Sequence, residues 1–467
     1  MKIIFLFITV FTLNLYASLI GSSFSQRDLQ ILEDLDINAA FITDYKLQEV
    51  YQYLSNRKST NYYLEKYNDA TLFVPRIRDI LRQENIPDVF IYMAMAESYF
   101  TIDAKSSARA IGLWQFMNGT AKIYGLRNDL YVDERMDLVK STYAATKYLN
   151  RLHDLFGKWY LAAIAYNCGE GRVIEAITRA TIDMYVAKFP KMKYDKQIKK
   201  YRKVISDYQH RRVRFSKLSK IYREVKKWNL KPDVDYLLRE QKGLNRQYLP
   251  RESRKYIRKI ISLAMLNSQN FIKHEDNSHL LNLGISTTVA TIPVKGGTHL
   301  KDIAKTIGMD YKKLLKLNSH IKQSIIPPNE KYYTINIPYS RLNRFNQNKD
   351  KIKTTKFAIH VVHRGDTLYG ISKKYKVPYK VIKNYNKLRS NRLSLRQKII
   401  LPIPEDMINK FSSNTKKSRN SKRHYVVKSG DSLYSIARKH KIDIKKIIRD
   451  NNLKDTQLRI GDKLVIR

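Results

Sequence analysis

Two stretches near the end of this 467-residue chain repeat one another, and that repeat constrains the fold more than any other feature. HVVHRGDTLYGISKKYKVPYKVIKNYN, from His360, and YVVKSGDSLYSIARKHKIDIKKIIRDNN, from Tyr425, align without a gap. Gly365, Leu368, Ile371 and Asn386 fall on Gly430, Leu433, Ile436 and Asn451 at a constant offset of 65. Self-similarity of this kind means small units built alike. Each begins with alternating β-formers, turns at a glycine, and carries Asp or Thr placed to cap a short helix. A second short helix follows, then a closing strand such as Lys398 to Pro402 or Lys463 to Ile466. A weaker, earlier copy is IPVKGGTHLKDIAKTIGMDYKKLLKLN, with Gly297, Leu300, Ile303 and Asn318, and with Thr298 where the others have Asp366 and Asp431. The tail is therefore predicted to hold βααβ units over 288–339, 358–404 and 423–467. Between them, Arg341 to Lys356 and Glu405 to Arg423 are polar and rich in Lys, Asn and Ser, and read as flexible linkers.

Ahead of the repeats the periodicity is helical, with no convincing strands. The stretch PDVFIYMAMAESYFTIDAKSSARAIGLWQFM, Pro87 to Met117, carries the chemistry. Pro87 and Asp88 suit a helix start. Val89, Met93 and Glu97 then recur at four-residue spacing, which puts the carboxylate on the core-facing side of an apolar helix. Desolvation disfavours its charged form, so Glu97 is predicted to have the raised pKa of a general acid. A buried Glu paired with an Arg or a backbone donor has the same pattern. Ser98, Ser106 and Ser107 follow, then Gly112, Trp114, Gln115, Phe116 and Met117, apolar surface beside one amide, as a sugar groove requires. Further on, Asp133, Glu134 and Asp137 precede a helix whose stripe of Leu138, Thr142, Ala145, Leu149, Leu152 and Phe156 faces a core. These acids are the obvious second carboxylates for a two-carboxylate glycosidase, but capping explains them equally well.

Glu97-Ser98, GLWQFM from Gly112 and Ala165-Tyr166-Asn167-Cys168-Gly169, taken in order, resemble the family-1 lytic transglycosylase signature of glycoside hydrolase family 23. LPRESRKY, ending at Tyr256, adds a fourth element. The resemblance implies a lysozyme-like all-α catalytic domain in which Glu97 alone protonates the glycosidic oxygen. The same residue would then deprotonate the muramoyl C6 hydroxyl, giving a 1,6-anhydro product. It further implies that Ser106 and Asn167 hold the acetamido region and that Tyr166 steadies Glu97 or the reacting centre. Ser98, Gln115, Met117 and Glu252 would contact substrate. The βααβ units resemble the LysM domain, which binds N-acetylglucosamine-containing glycans; Gly365, Asp366, Thr367, Gly430, Asp431 and Ser432 would serve binding. Two positions depart from the family: Asn118 stands for a usual Pro, and so does Arg258, which puts the backbone near Glu252 in doubt. The distance from Asn167 to Pro250 is also longer than in the family. The excess contains a basic insertion, 186–227, in which Lys188 to Lys227 holds sixteen Lys and Arg against three acids.

A hydrophobic content of 43% excludes wholesale disorder, and a formal charge of +46 favours anionic surroundings. Met1-Lys2, the apolar run Ile3 to Leu13 and Ala17 read as a secretory signal peptide over 1–17. The chain is thus expected to be exported, to the periplasm of a Gram-negative bacterium, which argues against nucleic acid as a partner. The remaining domains are expected as a helical lead-in over 18–70 and the catalytic domain over 71–275. The sequence predicts a multidomain, monomeric peptidoglycan lytic transglycosylase acting on glycan strands. Its basic surface is available for peripheral membrane association, and no metal or cofactor is expected. A lysozyme-like muramidase and a non-catalytic peptidoglycan-binding scaffold are the alternatives.

Overall fold

In a computed structural model the chain is described over residues 25–268, 288–403 and 423–466, apart from positions 130, 328–329, 353–355, 376, 378, 441 and 454. The signal peptide, the end of the catalytic domain and most of the second linker therefore lie outside the described residues. The chain divides into two compact units, one up to residue 354 and one from 355 onward.

The first unit opens with α1 (Gln26–Glu33), α2 (Tyr45–Ser55), α3 (Arg57–Ala70) and α4 (Val74–Gln83). The site region follows as α5 (Ile91–Ser98), α6 (Asn118–Ile123), α7 (Leu138–Phe156), α8 (Trp159–Cys168) and α9 (Glu170–Lys188). Then come α10 (Lys196–Gln209), α11 (Phe215–Lys226), α12 (Val234–Leu238) and α13 (Arg251–Ser268). No strand occurs among the described residues of this part, so the catalytic domain is helical as the sequence implied.

One core runs through it. Leu32 and Leu47 of the lead-in, Met93 and Ala94 of α5, Leu149 of α7, Ile164 of α8 and Ile257 and Ile261 of α13 are buried together. The lead-in is thus part of the catalytic fold. Arg258 explains how it is fastened: its guanidinium donates to both oxygens of Asp44, at 2.7 and 3.0 Å, with both side chains buried. Asp44 also accepts from Leu47 N at 2.7 Å, capping α2. With Arg in place of Pro, α13 keeps its N–H at this position and gains a bidentate tie to a segment 214 residues away.

The insertion is an amphipathic helix pair. Ile198, Tyr201 and Ile205 of α10 and Leu218, Ile221, Tyr222 and Val225 of α11 close a second core with Ile174 and Ile182 of α9. Its lysines and arginines occupy the opposite faces.

The earliest repeat also belongs to the first unit. β1 (Val289–Lys295) and β2 (Tyr332–Pro338) pair antiparallel, with Ile292 opposite Ile335, around α14 (Leu300–Ile307) and α15 (Tyr311–Leu317). It is docked on the catalytic helices. Tyr333 donates to Glu134 at 2.8 Å, His320 lies 3.2 Å from Asp137, and Asp133 N donates to His320 O at 2.9 Å. Arg127 pairs with Glu330 nearby. The expected flexible linker after this repeat is corrected: α16 (Leu342–Asn348) forms there and buries Phe345 against α14. One aromatic anchor outweighs a polar composition.

In the second unit β3 (Lys356–Val361) pairs with β4 (Lys398–Ile403), enclosing α17 (Leu368–Tyr375) and α18 (Tyr379–Tyr385). β5 (Arg423–Val426) pairs with β6 (Lys463–Ile466), enclosing α19 (Leu433–His440) and α20 (Ile444–Asp450). Each unit has its own apolar core, built on Leu368 and Ile371 or on Leu433 and Ile436. The repeated asparagine ties the second helix to the closing strand. Asn386 donates to Ile400 O at 2.8 Å and accepts from Ile400 N at 2.7 Å. Asn451 makes the same pair of bonds with Val465, and Asn318 with Asn336.

Candidate active site

Glu97 sits in the last turn of α5, which ends when Tyr99 takes a left-handed conformation at φ 51°. Six of the eight α5 residues are buried, so the carboxyl projects from an apolar stem. Tyr256 of α13 donates its hydroxyl to Glu97 Oε1 at 2.6 Å. Burial pushes the Glu97 carboxyl above the usual carboxylate range, opposed by the Tyr256 bond and the Lys259 charge. Lys259 is held beside it by a 3.0 Å bond from Nζ to Ala96 O. Burial, with the Glu97 charge adding to it, drives the Tyr256 phenol well above its ordinary value, so it stays a donor.

The loop after α5 is fixed from below. Gly112 has φ 88°, and a Cβ there would collide with the Arg135 carbonyl. Arg135 is itself buried in an ion pair with Asp133 at 2.7 Å. Trp114 and Phe116 point into the core, and the Trp114 indole donates to Thr142 Oγ1 at 3.0 Å. The apolar surface expected of both is therefore structural, and Met117, 48% exposed, is the member left at the surface. Gln115, at φ 48°, donates to Gly112 O at 2.8 Å.

Tyr166 donates to Trp114 O at 2.8 Å and packs between Phe116 and Tyr148, with centroids 6.1 and 5.0 Å away. It steadies the loop, whereas Tyr256 is the tyrosine bonded to Glu97. Asn167 is exposed, its Oδ1 fixed by Ser253 Oγ at 2.8 Å. Ser106 is exposed and its Oγ accepts from Ala110 N at 3.0 Å. Ser98 turns inward: it is buried and its hydroxyl bonds Ala94 O at 3.1 Å, which occupies it within the helix. Glu252 is exposed in the first turn of α13. Tyr256 and Lys259, absent from the sequence expectation, lie on the same helix; the Tyr closing LPRESRKY was the available signal.

The other acids are committed elsewhere. Asp137 accepts from Val139 N and Lys140 N at 3.0 Å, capping α7. Glu134 accepts from Arg127 N, Lys140 and Tyr333. Asp133 is held by Arg135. All three are buried, so none is free to orient a water opposite Glu97.

In the terminal repeats Gly365 and Gly430 turn at φ 92° and 84°. Asp366 accepts from His363 N and from His360 Nε2, both at 2.7 Å; Asp431 accepts from Lys428 N and the Tyr425 hydroxyl, both at 2.8 Å. Thr298 bonds Lys295 O at 2.8 Å in the first copy. These acids brace the turn. His360, His363 and Asp366 bring one ligand atom each within 4.8 Å of one another, and Tyr425 at the His360 position shows that the bracing needs no metal. Thr367 and Ser432 are exposed beside Tyr369 and Tyr434, which are 64% and 66% exposed.

Comparisons with known proteins match stretches in both units of the chain. The Transglycosylase SLT domain model matches residues 77–183, and the LysM domain model matches 360–402 and 425–467. A model for the lytic transglycosylase MltD, LysM-like domain matches 288–354, the docked repeat together with α16. Membrane-bound lytic murein transglycosylase D of Escherichia coli (strain K12) is 26% identical over 404 residues, 83% of this chain and 74% of that one. A putative soluble lytic murein transglycosylase of Haemophilus influenzae is 33% identical over 151 residues, 30% of this chain and 24% of that one. The solved Bacillus cereus spore cortex-lytic enzyme SleL overlaps 24% of this chain and 22% of its own, at 24% identity and a TM-score of 0.10, too slight to bear on the fold.

Proposed function

The chain belongs to the lytic transglycosylases that join an SLT domain to LysM modules, and we propose that Glu97 is its single acid-base residue. Its reaction is cleavage of the β-1,4 bond between N-acetylmuramic acid and N-acetylglucosamine in peptidoglycan, for cell-wall remodelling or turnover. Glu97, whose carboxyl burial pushes above the usual carboxylate range, gives its proton to the glycosidic oxygen. The resulting carboxylate, stabilised by the Tyr256 hydroxyl and the Lys259 charge, then takes the proton of the muramoyl C6 hydroxyl as that oxygen closes on C1. Proton and oxygen both come from the sugar, so no water is consumed. Ser106, Gln115, Met117, Asn167 and Glu252 are proposed to line the groove, with Gly365, Thr367, Gly430 and Ser432 contacting glycan in the terminal repeats.

The observation that carries this reading is that Asp133, Glu134 and Asp137, the second carboxylates that the sequence offered, are all buried in structural bonds and so cannot serve beside Glu97. A hydrolase normally needs such a partner. Glu97→Gln is expected to retain folding and glycan binding but lose cleavage, because the amide cannot shuttle a proton. General acid-base assistance is worth about 10²–10⁴-fold, and one residue supplies both halves here. Measured turnover by a folded Glu97→Gln variant would refute the assignment. The placement is the cell envelope. We further propose that the protein is an exported periplasmic monomer whose basic surface associates peripherally with membrane. No described helix is long and apolar enough to cross one. Fractionation with and without a high-salt wash tests that attachment.

A further inference from the structure

The chemistry at Glu97 leaves the basic insertion without a task, yet the insertion is seated against the site motif. Gly171, in the first turn of α9, leaves no room for a Cβ against the Tyr208 hydroxyl, so the end of α10 lies directly on the turn that follows AYNCG. Between them opens a pocket of about 600 Å³. Its cations come from three elements: Arg172 from α9, Arg211 from the turn after α10, and Arg246 from the loop before α13. Cys168, the neighbour of Asn167, forms part of the wall.

Charge in the pocket is unbalanced. Of the carboxylates nearby, Glu175 is fully buried and already accepts from Arg172 at 2.9 Å, Arg179 at 3.0 Å and Gln209 at 2.5 Å, and Glu170 is paired with Arg151. Arg211 and Arg246 have no acidic partner among the described residues. Burial and the repulsion of Arg172 hold the Arg246 guanidinium below its usual range. Guanidiniums that lack a counter-charge and line one open pocket can receive an anion through their paired N–H donors.

We propose that this pocket is a subsite for a free carboxylate of the peptide carried by the muramoyl residue, an assignment that rests on peptidoglycan being the substrate. The lactyl carboxyl of the muramoyl residue is taken up in the amide bond to the peptide, so on a peptide-bearing strand the free carboxylates belong to the peptide. The insertion thereby makes the enzyme select strands whose peptides carry free carboxylates over strands whose peptide carboxylates are masked as amides.

The test uses the full-length protein and the double variant Arg211→Gln/Arg246→Gln. Arg172 stays unchanged because it is tied to Glu175. KM and kcat are measured on soluble peptide-bearing strands and on the same strands with their peptide carboxylates converted to methylamides. Binding to anionic phospholipid vesicles is measured in parallel. A charged hydrogen bond contributes enough for KM on peptide-bearing strands to rise about tenfold or more, with kcat held and the amide-masked strands unaffected. An equal change on both substrates, or none on either, overturns the subsite. Loss of vesicle binding with both substrates unchanged assigns the arginines to lipid phosphate, which also overturns it. If the wild type proves to release water-derived reducing ends, the transglycosylase reading falls while the KM comparison still decides the subsite.

Discussion

Removing one oxygen tests how Glu97 is poised. Tyr256→Phe keeps the ring in the core but deletes the donor 2.6 Å from Glu97 Oε1. A hydrogen bond to a charged group is worth about 1.5–3 kcal/mol, which corresponds to about 10- to 100-fold in rate. Burial raises the Glu97 pKa, and the Tyr256 bond is the larger of the two effects that lower it. Without that bond the carboxylate is less stable and the pKa goes further up. The first step needs protonated Glu97, so activity is present below this pKa and falls as pH rises through it; in the variant that falling limb moves to higher pH. The second step needs the carboxylate, which the variant no longer stabilises, so the maximal rate drops by about 10- to 100-fold. Initial rates on soluble strands across pH, with melting temperatures as a control, measure both. An unmoved limb with an unchanged maximum, or a limb moved to lower pH, would show that Tyr256 does not govern the proton at Glu97.

Asp44→Ala leaves Arg258 buried without its partner and removes the α2 cap; denaturant unfolding should show a loss of about 3–5 kcal/mol, mostly recovered in Asp44→Ala/Arg258→Met. A loss within experimental error would mean that the lead-in is not held by this pair. Deleting residues 358–467 should leave turnover of small soluble fragments nearly unchanged while reducing activity on insoluble sacculi, since linked glycan sites act through effective concentration. Equal losses on both substrates would contradict that separation.

What could be read from the sequence divides along physical lines. Glu97 was legible because the four-residue spacing to Met93 fixes which face it shares, and that spacing needs no tertiary information. The βααβ units were legible because the repeat displays its turns and helix caps. Tyr256 was not, since its contact with Glu97 exists only once α13 packs on α5, 159 residues away. Trp114 misled for the same reason: an aromatic beside a glycine looks like a sugar platform until Thr142 is seen to accept its indole N–H. The docking of the first repeat was hidden in Asp133, Glu134 and Asp137. Capping accounted for Asp137, but the bond from Tyr333 to Glu134 spans 199 residues and leaves no local signature. Likewise Arg258, an oddity against the family pattern, becomes intelligible only opposite Asp44.

The acceptor in the reaction tests the central claim most directly. Purified strands are digested by the mature protein in heavy-oxygen water and the new ends are resolved by mass spectrometry. If Glu97 works alone and the C6 hydroxyl attacks C1, the products end in 1,6-anhydro-N-acetylmuramic acid, lighter than the hydrolytic product by one water and free of label. Reducing-end muramic acid carrying the heavy oxygen would contradict the account, showing that water is the acceptor and that a carboxylate other than Glu97 must orient it.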